Sequence, residues 1–295
     1  MKTILIVGGS GFVGSHLALR LRDEYKVITT HFRHAQRIPR VTDYPLSVHQ
    51  LDWSKELLLH LQPDVIIYAA GRHSPQWTGD PANARAMDLA HVAGPSTLVS
   101  NSQVMGTKFI YLSSPLVFDG ARGNYHESDI LIPSNALGRA KVAGENSIRS
   151  RALNYLILRS APLVGRGPAK NPTFLDQWLL AWGRGRAVEL DDSIRHSYAT
   201  IESFADWVAQ TLASGLKNKV LHFGGLSRVT EYELAHQLAE RLKVSPTLLH
   251  RKKSPGEHDS LDYSLNTTAS IRSLEIQPLL LQQSLDLIQE RLLIA

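Results

Sequence analysis

Residues 3–14 read Thr3-Ile4-Leu5-Ile6-Val7-Gly8-Gly9-Ser10-Gly11-Phe12-Val13-Gly14, an apolar run that ends in closely spaced glycines. The unbroken apolar run is typical of a central parallel strand covered on both faces. Apolar residues then recur at helical spacing at Val13, Leu17 and Leu21, so a helix follows the glycines. A glycine-rich turn between such a strand and such a helix predicts a site for the phosphates of a nucleotide.

Each of the four glycines has a predicted role in this turn. Their spacing fits both G-x-G-x-x-G, starting at Gly9, and G-x-x-G-x-x-G, starting at Gly8. We expect Gly8 and Gly9 to adopt the positive φ values of a sharp turn. Gly11 would let a pyrophosphate approach the first amides of the helix, and Gly14 would let the helix lie close to its strand. The alternative interpretation is a tight turn that binds no ligand.

The composition limits the class of protein. The chain has 295 residues, of which 43% are hydrophobic, enough to bury a large core in one domain or in a domain with a smaller lobe. No apolar run has the length of a membrane helix, and Met1-Lys2 leads into the first strand without a signal-peptide pattern. We therefore expect a cytoplasmic protein with no membrane partner. The sequence contains no cysteine and no H-E-x-x-H pattern, so we expect neither disulfides nor a metal site.

The charge balance bears on the ligand. The net charge of +5 comes from 32 basic and 27 acidic residues. The basic residues are scattered, without the interleaved aromatic residues of a nucleic-acid surface. We therefore expect no nucleic acid as a partner, because anionic small molecules account for the surplus more simply.

The second predicted strand, Lys26 to Thr30, ends where the adenosine ribose of a dinucleotide lies in this kind of fold. An acidic residue there would accept the 2′-hydroxyl of NAD, but the sequence continues His31-Phe32-Arg33-His34, with Arg37 nearby. A carboxylate is missing, and cations such as Arg33 favour the 2′-phosphate of NADP. NADP is therefore the expected cofactor, with NAD as the second choice. The alternative interpretation is a solvated basic loop.

Strands and helices alternate along the chain, which predicts an α/β fold with a doubly wound parallel sheet. Pro81 to Gln103 is a predicted helix that Gly94-Pro95 should kink or divide. Trp178 and Trp182, one helical turn apart, are expected to face the core rather than a ligand. Thr230 begins a capping box. The other predicted strands are 47–51, 64–70, 108–112, 154–159 and 220–224, the other helices 55–61, 174–182, 202–214, 230–242 and 280–293, and residues 250–266 are a predicted loop.

Several stretches together resemble a known family. They are the glycine turn, Asp52, Ala69-Ala70-Gly71, residues 113–120 (Ser-Ser-Pro-Leu-Val-Phe-Asp-Gly) and residues 138–145 (Gly-Arg-Ala-Lys-Val-Ala-Gly-Glu). Nearly the whole chain resembles the extended short-chain dehydrogenase/reductase family (NAD-dependent epimerase/dehydratase family). It is closest to the dTDP-dehydrorhamnose reductase branch, which includes the regulatory β subunit of methionine adenosyltransferase. The resemblance implies a Rossmann core, residues 1–160 with returning segments near 187–224, and a smaller C-terminal α/β substrate lobe, residues 161–186 and 225–295.

The resemblance also implies functional residues. Asp52 stands where the family touches the adenine, and Ser114 where it has a catalytic serine or threonine. Lys141 stands at the lysine of a Tyr-x-x-x-Lys pair, which binds the nicotinamide ribose and lowers the pKa of the tyrosine; the alternative is an exposed helix lysine. In sugar-nucleotide relatives a basic residue near Arg195 meets the substrate diphosphate, although Arg195 could equally be a surface cation. The expected cofactor contacts are Gly8, Gly11, Phe12, Val13, Gly14, Arg33, Asp52, Ala69, Ala70, Gly71, Lys141, Pro162 and Leu163.

The catalytic pattern departs from the family where the proton is transferred. Four residues before Lys141 stands Leu137, whose side chain has no proton to give. The loop Ser114-Pro115-Leu116 stands where the reductases have Thr-Asp-Tyr, and His91 stands where they have an asparagine. Candidate substitutes for the missing proton donor are Tyr68, Tyr125 and His126.

Two classes of function follow. The first is an NAD(P)-dependent oxidoreductase or epimerase that acts on a sugar nucleotide or a similar carbonyl compound with an altered acid/base site. The second is a catalytically inactive NADP-binding protein that senses the cofactor or regulates a partner enzyme. Leu137 favours the second class and the rest of the pattern favours the first, and the fold alone does not decide between them. A homodimer or a regulated partner enzyme fits either class.

Overall fold

The computed structural model describes residues 1–47, 54–71, 80–252 and 261–294, and strands and helices alternate through most of them. The strands are β1 (Thr3–Val7), β2 (Lys26–His31), β3 (Thr42–Pro45), β4 (Val65–Tyr68), β5 (Lys108–Ser113), β6 (Tyr155–Ser160), β7 (Leu163–Val164), β8 (Val188–Asp191), β9 (Ile194–His196), β10 (Ala199–Thr200), β11 (Lys219–Phe223), β12 (Val229–Thr230), β13 (Leu249–Lys252) and β14 (Leu261–Asp262). The α-helices are α1 (Phe12–Leu21), α2 (Ser54–Leu61), α3 (Ala84–Asp88), α4 (Gly94–Ser102), α5 (Ala136–Arg151), α6 (Phe174–Gly183), α7 (Ile201–Ala213), α8 (Glu231–Arg241), α9 (Thr268–Leu274) and α10 (Leu281–Ile294).

The central sheet has seven strands in the order β11-β6-β5-β4-β1-β2-β3. All neighbouring strands from β6 to β3 pair in parallel. The chain first builds outward from β1 through β2 and β3 and then on the other side through β4, β5 and β6, so the strand order reverses between β1 and β4. The predicted doubly wound parallel sheet is confirmed. Sheets of this kind bind ligands beyond the carboxyl ends of the strands at such a reversal.

The two strands at this reversal are buried throughout, as strands covered by helices on both faces must be. Ile4, Leu5 and Ile6 of β1 are inaccessible to solvent, and every residue of β4 is buried. The two strand ends lie side by side, since the Ala69 amide donates a hydrogen bond to the Val7 carbonyl at 2.9 Å. The glycine turn after β1 and the small residues after β4 are therefore neighbours.

The predicted break at Gly94-Pro95 is confirmed. A π-helical turn, Leu89–Ala93, separates α3 from α4, and Pro95 lies in the first turn of α4. Proline has no N–H to donate to the carbonyl four residues earlier, which belongs to His91. The Tyr111 hydroxyl donates to that carbonyl at 2.9 Å instead.

One predicted segment is wrong, and one strand was not predicted. The unpredicted strand is β3, Thr42–Pro45, whereas the predicted strand 47–51 lies outside the described residues except for Ser47. β3 is the edge of the sheet, where a partly exposed polar strand and a terminal proline are tolerated. The predicted loop 250–266 contains most of β13 and the whole of β14. These strands are four and two residues long and mostly polar, so they carry no apolar strand pattern.

The described chain divides into two compact units. Unit 1 comprises Met1–Phe118, Ile130–Arg159 and Ala205–Leu221, and it holds nearly all of the central sheet. Unit 2 comprises the remaining segments, Asp119–Asp129, Ser160–Phe204 and His222–Ala295. By this division residues 187–204 belong to unit 2 and residues 205–221 to unit 1. The predicted assignment of a cofactor role and a substrate role to separate domains stays a prediction.

Unit 2 has an apolar core of its own. Trp178 and Trp182 of α6 are both buried in it, so the prediction that they face the core is confirmed. The predicted capping box is confirmed as well, because Thr230 Oγ1 accepts the Glu233 amide at 3.1 Å and the Glu233 carboxylate accepts the Thr230 amide at 2.9 Å. Across both units, no helix in the described ranges is long and apolar enough to cross a membrane.

Candidate functional site

The turn after β1 leaves no room for a side chain at three of its four glycines. Gly8 has a φ of 90°, and a Cβ on it would lie 2.8 Å from the Ala70 Cα. A Cβ on Gly9 would lie 2.3 Å from the Thr29 Cβ, and one on Gly14 would lie 2.3 Å from the Gly8 oxygen. Of Gly8 and Gly9, only Gly8 has a positive φ. The expectation for Gly9 is therefore wrong, and close packing on β2 is what requires a glycine there.

Gly11 has the least crowded Cβ position of the four glycines in this turn. A Cβ there would meet a single main-chain oxygen, at 3.3 Å. Gly11 is also the N-cap of α1 and offers no side chain to its amides. The Ser15 amide donates to the Gly11 carbonyl at 3.0 Å, so the preceding amides of Phe12, Val13 and Gly14 have no acceptor within the helix. A helix end whose first amides have no acceptor within the helix fits the pyrophosphate of a dinucleotide.

The small residues after β4 lie against this turn. Gly71 has a φ of 142°, and a Cβ on it would lie 2.2 Å from the His91 ring. His91 is fully buried in the π-helical turn. The histidine that replaces the family's asparagine thus packs directly against the main chain of Gly71, one of the expected cofactor contacts.

The end of β2 differs from its prediction. Arg33 is exposed, and its guanidinium lies 5.5 Å from the centre of the Phe32 ring. A carboxylate is present after all, because His31 Nδ1 lies 2.7 Å from Asp43 Oδ2. Thr29 donates its hydroxyl to the other oxygen of Asp43 at 2.7 Å. The prediction that no carboxylate stands here is wrong because the pairing of β3 with β2 brings Asp43 in from the next strand.

Lys141 lies inside unit 1, with 2% of the residue exposed. Its Nζ donates to the Leu112 carbonyl at 2.8 Å and lies 5.1 Å from the centre of the Tyr111 ring. Burial lowers the pKa of Lys141 to about 7, and the Glu145 carboxylate one helical turn further on acts against that shift. The alternative interpretation of an exposed helix lysine is therefore wrong.

A buried ion pair ties α5 to the strands beneath it. Glu145 and Arg159 are inaccessible to solvent, and the Arg159 guanidinium donates to both Glu145 oxygens, at 2.9 and 2.7 Å. The Ser113 hydroxyl donates to the same carboxylate at 2.6 Å. Sequence reasoning missed this network, because nothing in the sequence pairs Glu145 of the helix with an arginine in the strand that follows, 14 residues later. Through Ser113, the network fixes the carboxyl end of β5 next to the residue that holds Lys141.

Leu137 and Ser114 lie on either side of one short loop. Leu137 is 3% exposed, in the first turn of α5. Its neighbour Gly138 packs on the loop so tightly that a Cβ would lie 2.0 Å from the Leu116 oxygen. The Ser114 Oγ accepts the Leu116 amide at 3.2 Å. The loop that begins at Ser114 therefore packs against the start of α5, where the side chain of Leu137 is apolar.

The three candidate substitutes fare differently. Tyr68 is fully buried, its hydroxyl donates to the Ala90 carbonyl at 2.6 Å, and burial raises its pKa. Tyr68 is therefore wrong as a proton donor. Tyr125 and His126 lie in unit 2, where the Tyr125 hydroxyl donates to Asp119 and His126 is exposed. A role for these two residues stays a prediction.

The remaining predicted site residues lie in unit 2 or outside the part of the chain that the structure describes. Leu163 begins β7, and Pro162 lies just before it. Arg195 donates two hydrogen bonds to Glu233, at 2.8 and 3.1 Å, so a diphosphate would have to compete with a carboxylate there. Asp52 lies outside the described residues. Within the described ranges, no three histidine, aspartate or glutamate side chains lie together as metal ligands would.

Comparison with known proteins shows what the chain is similar to. It is 27% identical to methionine adenosyltransferase 2 subunit beta of Bos taurus over 169 residues, 56% of this chain and 48% of that protein. It is 23% identical to dTDP-4-dehydrorhamnose reductase of Mycobacterium tuberculosis (strain ATCC 25618 / H37Rv) over 250 residues, 83% of this chain and 77% of that one. The chain thus spans about half the length of the methionine adenosyltransferase subunits that it matches.

A solved structure and a family model extend the comparison. The structure of dTDP-4-dehydrorhamnose reductase from Bacillus anthracis str. Ames in complex with NADP has the same fold, with a TM-score of 0.83 and 16% identity over 99% of this chain and 100% of that chain. The RmlD substrate binding domain model matches residues 1–273. Because that match spans most of the 295 residues, the resemblance noted in the sequence is confirmed, and the chain belongs to the RmlD substrate binding domain family.

Proposed function

We propose that this protein binds NADP, and NAD more weakly, together with a sugar nucleotide or a similar carbonyl compound, and that it is an oxidoreductase or epimerase with a weakened acid/base site. One observation carries the proposal. Lys141 is buried and bonded to the end of β5, the loop of Ser114 follows directly, and Leu137 stands where the resemblance implies the phenol.

Different residues of unit 1 would bind the cofactor and donate the proton. When bound, the reduced cofactor would supply a hydride. The amides of Phe12, Val13 and Gly14 would bind its phosphates, and Lys141 would contact its ribose. The Ser114 hydroxyl, whose oxygen accepts from Leu116, keeps its own proton to donate to a carbonyl oxygen. An aliphatic hydroxyl is a poor general acid compared with a phenol beside a lysine, so we expect slow turnover.

The observation that supports a non-catalytic role is again Leu137. A buried leucine cannot give or take a proton, and one group of relatives is named as a subunit of another enzyme. We keep the regulatory or sensing role as the second candidate function. Under either function we propose a cytoplasmic protein that forms a homodimer or binds a partner enzyme; cell fractionation and co-purification test these points.

Binding and turnover test the proposal together. We expect titration calorimetry to give tighter binding for NADPH than for NADH, because a charge-assisted phosphate contact stabilises a complex by about 1.5 to 3 kcal/mol. Oxidation of NADPH in the presence of dTDP-4-dehydro sugars and other carbonyl compounds would then support the oxidoreductase. NADPH binding without turnover of any carbonyl favours the regulatory role, and equal affinities for the two cofactors contradict the NADP preference.

A further inference from the structure

The buried Glu145–Arg159 ion pair contacts both ends of the loop that carries Ser114. At the first end, Ser113 of β5 donates its hydroxyl to Glu145 Oε1 at 2.6 Å. Arg159 of β6 is the register partner of Ser113 in the sheet and donates to the same oxygen at 2.9 Å. At the second end, the Arg159 guanidinium lies 5.3 Å from the centre of the Phe118 ring. Ser114 therefore lies between two points that the ion pair holds.

The chain between these two points is a single tight turn. A short 3₁₀ turn, Pro115–Val117, follows Ser114 directly. The Ser114 oxygen accepts the Leu116 amide at 3.2 Å, and the Phe118 amide donates to the Pro115 carbonyl at 3.1 Å. A shift of either end would therefore displace the Ser114 hydroxyl and loosen the hydrogen bond of the Leu116 amide.

Stability alone is a poor explanation for this ion pair. Glu145 and Arg159 are both inaccessible to solvent. The cost of removing two charges from water offsets much of their attraction, so apolar residues of similar volume often replace such a pair without loss of stability. What the pair does provide is a fixed orientation, because the guanidinium donates to both carboxylate oxygens, at 2.9 and 2.7 Å.

The same pair is connected to the lysine of the candidate site. Lys141 precedes Glu145 by one turn of α5, so the two side chains lie on the same face of the helix. Lys141 Nζ donates to the carbonyl of Leu112, the residue before Ser113. Both side chains of the helix are thus bonded to the end of β5, and a displacement of that strand end would move Lys141 and the Ser114 loop together.

We propose that Glu145 and Arg159 are positioning residues, which hold the Ser114 loop and Lys141 in the arrangement that carbonyl reduction needs. The inference rests on the proposed function for the reaction, and on contacts within unit 1 for the positioning. Both side chains are buried, so they act through Ser113 and Phe118 rather than on a substrate.

The test removes one contact at each end of the loop and leaves the two charges in place. Removing either charge would leave the other buried and unpaired, which is strongly destabilising. Ser113→Ala removes the hydroxyl that donates to Glu145, and Phe118→Leu removes the ring beside Arg159. In the cofactor-free protein, we expect each variant to speed amide exchange at Leu116 relative to β1 by at least about threefold. The β1 amides report global unfolding, so the ratio isolates the loop.

Turnover provides the second measurement. With NADPH and the best carbonyl substrate of the wild type, we expect both variants to lower kcat by about tenfold or more and to leave the KM for the carbonyl within about twofold. A pair that only stabilised the fold would lower the unfolding temperature without this separation of kcat from KM. Thermal unfolding of each variant establishes that it is folded.

Arg149→Gln is the matched control. Arg149 donates to Glu145 Oε2 at 3.3 Å, but its side chain is 37% exposed on the solvent side of α5. This variant should keep the exchange ratio and the kcat of the wild type. The inference is overturned if Ser113→Ala or Phe118→Leu keeps the wild-type ratio, if Arg149→Gln raises it equally, or if a faster-exchanging loop leaves kcat unchanged. If the wild type reduces no carbonyl, the proposed oxidoreductase is wrong, and the exchange ratios alone decide whether the pair positions the loop.

Discussion

Under the proposed function, the missing proton donor of the site is accounted for by one side chain, Leu137. Leu137 and Lys141 lie on the same face of α5, one helical turn apart. We expect Leu137→Tyr to increase the rate of carbonyl reduction by at least about tenfold, because acid/base assistance is worth about 10²- to 10⁴-fold. The assay is NADPH oxidation with the best carbonyl substrate of the wild type.

Leu137→Phe is the control for that variant, since it adds the same ring without the hydroxyl. Both variants should bind NADPH like the wild type and differ in rate. The loop at Leu116 adjoins the start of α5, so overpacking is the physical obstacle. If a folded, cofactor-loaded Leu137→Tyr protein is no faster than Leu137→Phe, another residue already supplies the proton.

Burial of Lys141 should be visible in the stability of the protein. Its pKa is about 7 in the folded state against an ordinary 10.5. Between these values the unfolded state holds a proton that the folded state has lost, so the free energy of unfolding rises with pH by up to about 1.4 kcal/mol per unit. Lys141→Met lacks this effect. Between pH 7 and 9, we expect the wild type to gain about 1 to 3 kcal/mol over Lys141→Met in urea unfolding.

A variant at an exposed lysine of α2, Lys55→Met, serves as the control for the loss of one lysine. Unfolding free energies of the wild type and Lys141→Met that change in parallel with pH would contradict the burial of the ammonium group.

For single residues, the sequence indicates which side chains are candidates for the site. It does not indicate how deeply they are buried or which charged groups they pair with. Leu137 and Lys141 could be assigned to the predicted site only through the family resemblance. The depth of Lys141 could not, because it depends on how α5 lies on β5. The same holds for Asp43, which reaches His31 only through the pairing of two strands, and for the pairing of Glu145 with Arg159.

The element that we expect to bind the cofactor is the start of α1. A side chain at Gly11 would extend into the space before the first amides of the helix, while its Cβ meets only one protein atom, at 3.3 Å. We expect Gly11→Val to abolish NADPH binding in calorimetry and to leave thermal unfolding close to that of the wild type.

Gly14→Ala is the contrasting variant, because its Cβ would lie 2.3 Å from the Gly8 oxygen. It should lose both stability and binding. Normal NADPH affinity in Gly11→Val would show that the phosphates bind elsewhere.

Elements with strong periodicity are predictable and short edge elements are not. β1, β4 and α6 follow from apolar runs or helical spacing. β3, β13 and β14 are short and mostly polar, and they exist because a neighbouring strand offers hydrogen bonds. The turn before Pro95 could be predicted as a break but not as a π turn, because proline removes a hydrogen bond without fixing which conformation replaces it.

For the molecule as a whole, the described glycine turn, Ser114 and Lys141 all belong to unit 1. A ligand that binds only the folded state lowers the population of the globally unfolded state by a factor of one plus the ratio of ligand concentration to dissociation constant. With NADPH at about 100 times its dissociation constant, we expect amide exchange in the buried strands β1 and β4 to slow by about 100-fold where it proceeds by global unfolding. Unchanged exchange in these strands would contradict cofactor binding by unit 1.

The glycines after β1 differ in what maintains them over evolutionary time. Gly8 and Gly14 are required by contacts within the protein, so selection for folding alone would keep them in a descendant that had ceased to bind any nucleotide. Gly11 is under much weaker constraint of that kind. Neutral drift would replace it first once the ligand no longer mattered. Among homologous chains, a glycine at this position therefore indicates a functional nucleotide site better than the full glycine pattern does. Its replacement indicates that nucleotide binding has been lost.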